Sequence, residues 1–565
     1  MFKDPFAYDW PEQQKKWQNL LDLPLTPENK QTWMDLWDDL ERNYAEQKAR
    51  LHWDSMADVE SPEPLERFKH FNQEVVPQVM GFQRQIYQRW VTFSEEHPTP
   101  GWEVTTRYLK HLQHEQQFPE LLQQEDEKIM EYYNTSHLEQ PVPPPYEDLQ
   151  ALLDSMLSPD AQERQRAWTA RQIYMKPVRA HRSEKYLELI HLRWKQARNL
   201  GFEHPLAMAW ERLKRHDFTL QQWQQTRSVL LQRVPALHGE LQQKLADLLG
   251  IPAFKVTDTG HPALSQASTL YDRTDLKALH QGLEKMFQAF SPLLADRYCE
   301  LLEKGYLDLE DRRTKTTQAF ADLLPVTHKA CAMLMMDAQM GSLSMLWHEL
   351  GHVFHFSEMV GRHHAMQLEP SYKFLEFVAH AFEVLGACFV AESGLLSPEK
   401  VQLLQLLTLL SRSEGMLICS IIDLWEEWVY TTPPEQLTLE ALYGHWERLL
   451  QTHAPWFLGV REYGMNYWTA GWHVRVPLGM TRYALADLCV AEFSDQMLAD
   501  PHQAFARLTT GMQLGGTKPF LELIRACGLQ FDFSPESVER GLQQFERLAA
   551  GWGYPLHKNP SSAVL

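Results

Sequence analysis

The sequence predicts a mainly α-helical protein. Apolar residues recur with a helical period through residues 10–135 and again through residues 146–249, in segments rich in Gln, Glu, Trp and Leu. By contrast, the short apolar run at residues 330–336 is typical of a buried strand, because it is too brief for an ordinary helix. The 565 residues, 44% of them hydrophobic, can form large cores, and this length suggests about three or four domain-sized units. Most Trp and Met positions have helical spacing and are interpreted as core.

Proline-containing breaks divide the helical part of the chain. The first helical patterns are interrupted near Pro24 and Pro27 and again near Pro62 and Pro64. Ser61 is a predicted helix boundary, since the residue before a proline disfavours helical backbone. The clearest linker is the Pro-Val-Pro-Pro-Pro run at residues 141–145, and a looser segment covers residues 250–271. We therefore predict an N-terminal helical region (1–140), a second helical region (141–270), a third region that carries the chemistry (271–550) and a polar tail (551–565).

Composition limits the possible partners and location. The net charge of −20 is spread along the chain without long acidic runs, which disfavours nucleic acid and anionic membranes as partners. The first ten residues lack the apolar core of a signal peptide, and no run of 18 apolar residues occurs. The six cysteines are scattered singly in apolar settings, so we expect reduced core thiols and a cytoplasmic location. The sequence leaves the oligomeric state open.

The run His-Glu-Leu-Gly-His at residues 348–352 is the strongest candidate for chemistry. Residues four apart share one face of a helix, so His348 and His352 can direct both imidazoles at one point, a good arrangement for Zn²⁺. Glu349 lies about 100° round the helix axis from His348, where a general base can take a proton from activated water. Ser342 or Ser344 is predicted to cap this helix. The pattern predicts a metallopeptidase site.

A zinc site with an open catalytic position needs a third protein ligand, and the helical pattern at residues 372–383 offers one. Glu376 and Glu383 are seven apart and share a face within an apolar segment, where burying a carboxylate is costly unless a metal or hydrogen-bond partner takes it. We predict that Glu376 is the third ligand. Glu383 is predicted to accept the spare N–H of a ligand imidazole and so to fix its tautomer. His380 and His355 remain open as rival ligands or supporting groups.

These motifs resemble the thimet oligopeptidase and oligoendopeptidase F family of zinc metallopeptidases, and most closely its oligoendopeptidase F branch. Here His-Glu-Leu-Gly-His-x-x-His is followed, 24 positions after His352, by Glu376 and then by Glu383 seven positions later. The similarity runs from about residue 145 to residue 533, and the first 140 residues match only in helical character. Further similar segments are residues 189–202, 305–315 and 515–528. The resemblance implies one zinc ion held by His348, His352 and Glu376, with Glu349 as the base.

The resemblance also implies a later loop whose His and Tyr side chains hold the peptide and stabilise the oxyanion. In residues 463–483 of this chain, His473 and Tyr483 match those positions and are candidate catalytic residues. Gly479 and Met480 stand where an aromatic pair is expected, and the Gly-Gly-Tyr element expected after Lys315 is missing. Since loss of one oxyanion donor costs about 10²–10³ in rate, these departures bear on efficiency and substrate preference and leave metal binding intact.

The resemblance therefore implies a mainly α-helical zinc-peptidase body, with a small β-sheet beside the metal helix and a deep substrate cleft between two helical halves. The expected activity is zinc-dependent endopeptidase cleavage of short unstructured oligopeptides, and the strand at residues 330–336 is a candidate to pair with the substrate backbone.

Two alternatives use the same scaffold. A zinc carboxypeptidase would need a cation such as Arg475 or Arg482 to hold the substrate C-terminus, and a peptide-binding relative would have lost most of its catalytic power. His363 and His364, in the loop after the metal helix, are predicted to be solvated, and contact with the substrate is the alternative.

Overall fold

The structure is a computed structural model that describes residues 2, 4–115, 119–135, 138, 140–213, 217–267, 276–337, 339–369 and 371–557. The predicted boundary between residues 270 and 271 and most of the predicted polar tail lie outside these residues. Within them, α-helices predominate and a single small β-sheet is present, so the predicted fold class is confirmed.

The helices follow one another along the chain with short connections, some of them single 3₁₀ turns. In order they are α1 Trp10–Asp22, α2 Lys30–Ala57, α3 Pro62–His70, α4 Val76–Glu96, α5 Glu103–Glu115, α6 Pro119–Tyr133, α7 Leu149–Ser155, α8 Ala161–Tyr174, α9 Lys176–Asn199, α10 Pro205–Arg212, α11 Leu220–Leu249, α12 Pro262–Ala267, α13 Leu276–Phe290, α14 Pro292–Glu303, α15 Met340–Met359, α16 Tyr372–Phe389, α17 Pro398–Thr431, α18 Leu439–His453, α19 Arg461–Met465, α20 Thr481–Ala499, α21 Pro501–Met512, α22 Phe520–Ala526 and α23 Pro535–Gly551. The strands, which lie between α14 and α15, are β1 Leu307–Asp308, β2 Phe320–Leu324 and β3 Lys329–Met333.

Local sequence signals set several helix ends. Ser61 has extended backbone and Pro62 occupies the first turn of α3, so the predicted boundary at Ser61 is confirmed. At α11, Thr219 and Gln222 form a reciprocal capping box, and the helix ends at Gly250, whose φ of 68° is left-handed and suits glycine.

The chain forms two compact units, each built from separated segments. The first comprises Met1–His114, Leu270–Gln405 and Cys489–Asp532, and the second comprises Glu115–Thr269, Leu406–Leu488 and Phe533–Leu565. Because both units are discontinuous in sequence, this division does not test the four linear ranges expected from the sequence, which stay a prediction.

In the first unit, the N-terminal helices enclose an aromatic core. Trp17, Trp33, Trp37 and Trp90 are completely buried there, and Trp102 packs against the last two. The interpretation of these Trp positions as core is confirmed.

The sheet of the first unit has strand order β1-β3-β2. β3 pairs in parallel with β1 (Leu307 opposite Ala332) and antiparallel with β2 (Ala321 opposite Ala332), and it packs against α15. Backbone bonds to the segment after β1 continue through Met336. Both sides of β3 are therefore occupied at Ala332 and Met333, so a substrate strand cannot pair with these two residues, because only an edge strand can accept another strand. Pairing of the rest of residues 330–336 with a substrate stays a prediction.

Two segments, Tyr372–Ser393 and Pro398–Thr431, are long and apolar enough to cross a membrane by length and composition alone. Their most apolar windows are 78% and 72% buried inside the protein, respectively, which is typical of core helices. The first of them carries several buried charged and polar groups, described next.

Candidate metal centre

The motif helix α15 begins earlier than the sequence indicated. Gln339 is its N-terminal flanking residue, and Ser342 lies inside the helix, where its hydroxyl donates to the Gln339 carbonyl at 2.8 Å. The Asp337 carboxylate accepts the Gln339 backbone N–H at 3.0 Å and so organises the chain before the first turn. The predicted cap at Ser342 or Ser344 is therefore wrong, because the helix already starts at Met340.

Two glycines let α15 and α16 approach closely. A β-carbon added at Gly351 would lie 2.8 Å from the Cα of Ala379, closer than such atoms can pack. A β-carbon at Gly386 would lie 2.1 Å from the indole ring of Trp347. Gly351, within the His-Glu-Leu-Gly-His run, thus has a packing role: it allows the helix that carries Glu376 to lie against the helix that carries both histidines.

This approach brings His348, His352 and Glu376 together. The Nε2 atoms of His348 and His352 are 3.1 Å apart, and His348 Nε2 lies 3.6 Å from Glu376 Oε2. One ligand atom from each of the three residues falls within 4.8 Å of the other two. Tetrahedral ligands about 2.0–2.2 Å from a zinc ion lie about 3.3–3.6 Å from each other, so these donors already stand near zinc-binding distances.

Glu383 sets the orientation of His348. Its carboxylate lies 2.9 Å from Nδ1 of His348. Since a carboxylate accepts, Nδ1 carries the proton, and the lone pair of Nε2 faces His352 and Glu376. Burial lowers the pKa of His348, but the hydrogen bond and charge of Glu383, together with the charges of Glu376 and Glu349, outweigh burial and raise it.

The two rival histidines occupy different positions. His380 belongs to a second possible group with His348 and Glu383, and its ring centroid lies 5.5 Å from that of His348. His355 lies outside both groups that the described residues form. Its ring is completely buried and packs edge-on against Phe374, and burial lowers its pKa to about 3. His380 therefore remains near the candidate ligands, whereas His355 is a core residue.

Glu349 is buried next to the candidate ligands, with 6% of its surface exposed. Burial raises its pKa to about 7; His348 opposes this shift, and the negative charges of Glu376, Asp322 and Glu383 add to it. A carboxyl group with a pKa near 7 can both accept and return a proton at neutral pH. Its surroundings are thus suited to acid–base work.

The donor set fits a divalent metal ion. Glu349, Glu376 and Glu383 are each 7% exposed or less, and buried carboxylates are costly without a compensating cation. Two imidazoles and one carboxylate are one of the common ligand sets of a catalytic zinc. The geometry therefore has room for one divalent ion, and His348, His352 and Glu376 are the residues that would hold it.

Sequence reasoning missed Asp322 on β2. Its charge acts on Glu349, and its carboxylate lies 2.8 Å from Nδ1 of His52 on α2. The segment Phe-Ala-Asp-Leu-Leu contains no motif that signals this role. The contact depends on strand pairing, which brings β2 beside β3 and α15.

No sequence motif predicts the contacts that hold the loop between α15 and α16. Arg42 on α2 donates to the carbonyls of Val360 (3.0 Å) and His363, and Asp38 accepts the backbone N–H of Ala365 at 2.5 Å. His364 packs edge-on against Trp37 and Trp102. The expectation of a solvated loop at His363 and His364 is therefore wrong, because α2 and its aromatic core hold the loop.

His473 and Tyr483 belong to the second unit. His473 is completely buried, with its ring edge-on to Tyr186 and Trp425 at 5.8 and 5.9 Å, and burial, followed by the charge of Arg193, lowers its pKa to about 3. Tyr483 lies at the start of α20, half-buried, with the Arg482 guanidinium 4.9 Å from its ring centroid. Their catalytic roles stay a prediction.

The segment between these two residues is fixed by buried polar groups. Arg193 donates to the carbonyl of Val474 at 2.7 Å, Glu426 accepts the N–H of Leu478 at 3.0 Å, and Thr481 donates to Asp423. A loop anchored at three points holds its side chains in place.

No family model matches the sequence, and no curated protein matches it. Solved structures do match over nearly the whole chain. A structure provisionally assigned as oligoendopeptidase F is 20% identical, with a TM-score of 0.83 over 96% of this chain and 97% of its own. PZ peptidase A with an inhibitor is 18% identical, with a TM-score of 0.82 over 97% of this chain and 99% of its own. A protein from Bacillus anthracis str. Ames, also provisionally assigned as oligoendopeptidase F, is 17% identical, with a TM-score of 0.78 over 98% of this chain and 97% of its own. The chain therefore has the oligoendopeptidase F fold, as the resemblance in its sequence implied.

Proposed function

We propose that this protein is a zinc-dependent endopeptidase that hydrolyses short unstructured oligopeptides. The observation that carries the proposal is the convergence of His348, His352 and Glu376, with the buried Glu349 beside them. The peptidase names of the structures that share the fold agree with it.

Each side chain of the site has a distinct task. A zinc ion bound by His348, His352 and Glu376 would supply Lewis-acid activation of the scissile carbonyl and of a water molecule. Glu349 takes the proton of the attacking water and then delivers it to the leaving amine nitrogen. Glu383 keeps the proton of His348 on Nδ1, so that Nε2 stays a ligand.

Proton handling by Glu349 depends on its burial. In the metal-free state the pKa of Glu349 is about 7, chiefly because of burial. A bound dication adds a positive charge, which favours the carboxylate and lowers this pKa. The group then starts as a base at neutral pH, as the proposed reaction requires.

The sheet has two edge strands, β1 and β2, at which a substrate backbone could extend it. β1 has only two residues, whereas β2 has five and packs against α15. We infer that an extended peptide adds to β2, with main-chain hydrogen bonds that accept many sequences. Such pairing suits an oligopeptidase with broad specificity.

The proposed location is the cytoplasm. All six cysteines are free thiols, four of them buried. Structural disulfides would be expected more often in an oxidising compartment.

One experiment tests the function and separates its alternatives. The purified protein is assayed for zinc by elemental mass spectrometry and for cleavage of quenched peptides of different lengths, with product masses recorded. We expect about one zinc per chain and internal cuts that a chelator abolishes and zinc restores. His352→Gln should lose both zinc and cleavage, and His70→Gln, which changes an exposed histidine of α3, should retain both.

The product masses decide between the alternatives. Removal of single C-terminal residues only would identify a carboxypeptidase. Zinc binding with peptide binding and without turnover would identify a catalytically weakened relative, and absence of zinc would refute the proposal.

A further inference from the structure

The second unit contains a cavity of about 740 Å³ that none of the candidate metal ligands lines. One wall is formed where α8 meets α9, and the other by α18 and α19. Small-molecule sites have volumes of about 300–1,000 Å³, so the cavity has the size of a ligand site.

The first wall contains a buried hydrogen-bond donor that lacks a partner. Gln172 lines the cavity and is only 4% exposed, and within the described part of the chain its amide nitrogen has no hydrogen-bond partner. The orientation of this amide is fixed, because Arg179 can only donate and its guanidinium donates to Gln172 Oε1. A buried donor without an acceptor costs free energy, and the small movement that brings it to a ligand oxygen in the cavity would remove that cost.

The same wall carries positive charge without a paired acid. Arg179 and Lys176 both line the cavity, and neither forms an ion pair with any residue for which the structure gives a position. Burial, followed by repulsion from Arg171, lowers the pKa of Arg179. A half-buried guanidinium in that state would gain from an anionic partner, and a carboxylate can also accept the free hydrogen of Gln172.

The opposite wall carries the opposite charge. Glu440 and Glu462 line the cavity and are exposed, and within the described ranges neither forms an ion pair at contact distance. Both acids lie in the first turn of a helix, where a carboxylate is favoured, and the charge of Glu462 also acts on Arg179 of the first wall. The first wall also contributes the apolar side chain of Ile173, which is 55% exposed.

We propose that this cavity is a second, non-catalytic site that binds short zwitterionic peptides. Arg179, Gln172 and Lys176 hold the terminal carboxylate, and Glu440 and Glu462 face the terminal ammonium group. An extended tripeptide is about 10 Å long, at about 3.3–3.6 Å for each residue, which suits a cavity of this size. The proposal goes beyond the proposed peptidase activity and does not depend on it.

The test is calorimetric titration of the full-length protein with Ala-Ala-Ala. Glu349→Gln is present throughout, so that the probe is not consumed, and His352→Gln is added in a parallel series to remove the metal centre. We expect binding in both series. Arg179→Met and Gln172→Leu should each weaken binding by about ten- to a hundred-fold, as loss of a charged or buried hydrogen bond does. Lys185→Met on α9, whose lysine pairs with Glu131 and Glu188 outside the cavity, should leave binding unchanged.

Probe variants test the two ends of the ligand separately. The peptide with a C-terminal amide should bind more weakly than Ala-Ala-Ala, by about the factor that Arg179→Met causes. The N-acetylated peptide should also bind more weakly than Ala-Ala-Ala. Circular dichroism and the melting temperature show whether each variant folds, and Gln172→Leu keeps the test valid if Arg179→Met does not.

Three results would overturn the proposal. The first is absence of peptide binding to the Glu349→Gln protein. The second is binding that His352→Gln abolishes while the cavity variants Arg179→Met and Gln172→Leu do not weaken it. The third is equal binding of the free and the capped peptides. The second result places the peptide at the metal centre.

Discussion

Gly351→Ala tests whether close packing of α15 on α16 assembles the metal centre. The added β-carbon would lie 2.8 Å from Ala379 Cα and 3.2 Å from Phe382 Cβ. Since ordinary contacts begin near 3.4 Å and backbone atoms yield little, the helices must separate by about 0.6–1 Å. This shift moves Glu376 relative to His348 and His352 by several times the tolerance of a zinc–ligand distance, which is about 0.2 Å.

The expected effects on stability and metal binding differ in size. Overpacking costs about 1–3 kcal/mol, and replacing glycine by alanine within a helix returns about 1 kcal/mol, so the net loss of stability is about 0–2 kcal/mol. Zinc affinity should fall more clearly, by about ten- to a hundred-fold, as when groups that orient metal ligands are disturbed. Competition with a chromogenic chelator measures the affinity, and thermal unfolding of the metal-free protein measures the stability.

The same helix provides a matched control at Gly341. A β-carbon there meets nothing within 4 Å, so Gly341→Ala should raise the melting temperature slightly and leave zinc affinity unchanged. Parental zinc affinity in Gly351→Ala would show that the site does not depend on this contact, and the packing argument would then fail.

Further predictions address the base, the orienting carboxylate, the later loop and a buried acid. Glu349→Gln should keep the zinc content and lower turnover by about 10²–10⁴-fold, and turnover near the parental rate would remove Glu349 from the role of base. Glu383→Gln should weaken zinc binding by about 10–100-fold in chelator competition, because the amide can no longer hold the proton on Nδ1 of His348 as a carboxylate does; unchanged affinity would contradict this. Tyr483→Phe should lower kcat and kcat/KM together by about 10²-fold if its hydroxyl stabilises the oxyanion, whereas a change in KM alone would assign it to ground-state binding. Burial raises the pKa of Glu41 to about 7. The stability contributed by its protonated form is therefore full below pH about 4.5 and is lost as the pH rises through about 7, by up to about 3 kcal/mol. The melting temperature of Glu41→Gln should fall less over this pH range than that of the parent protein, and parallel pH profiles of the two proteins would refute the shift.

Helical periodicity was sufficient to predict the class of the fold. The start of α3 and the buried strand near residue 330 also followed from local chemistry, because proline and apolar runs act over a few residues. The two strands that pair with β3 could not be predicted from local sequence. β1 has only two residues and β2 includes Asp322, so neither has the pattern of a strand, and both exist because β3 offers them hydrogen bonds.

The residues of the metal centre likewise differ in whether local sequence predicts them. The four-residue spacing alone places His348 and His352 on one face, and the unfavourable burial of carboxylates singled out α16. The contacts of Asp322 with His52, and of Arg42 with the loop after α15, join residues hundreds of positions apart. Such contacts depend on the packing of complete elements, which no local pattern encodes.

The balance of charge is what distinguishes this centre from an ordinary polar core. The Glu46 carboxylate, also buried in the first unit, accepts backbone N–H bonds from Val326 and Thr327 and pairs with Arg50. Glu41 is likewise surrounded by donors, from Trp37, Gln83 and Tyr87.

At the candidate metal centre, by contrast, buried carboxylates lie near other carboxylates. The pKa of Glu349 is raised by burial and by the charges of Glu376, Asp322 and Glu383, and His348 alone opposes the shift. A core that served only stability would not gather these carboxylates around imidazoles whose lone pairs converge on one point, because each charge raises the cost of the next. A bound dication removes this cost and turns the same side chains into ligands and a base.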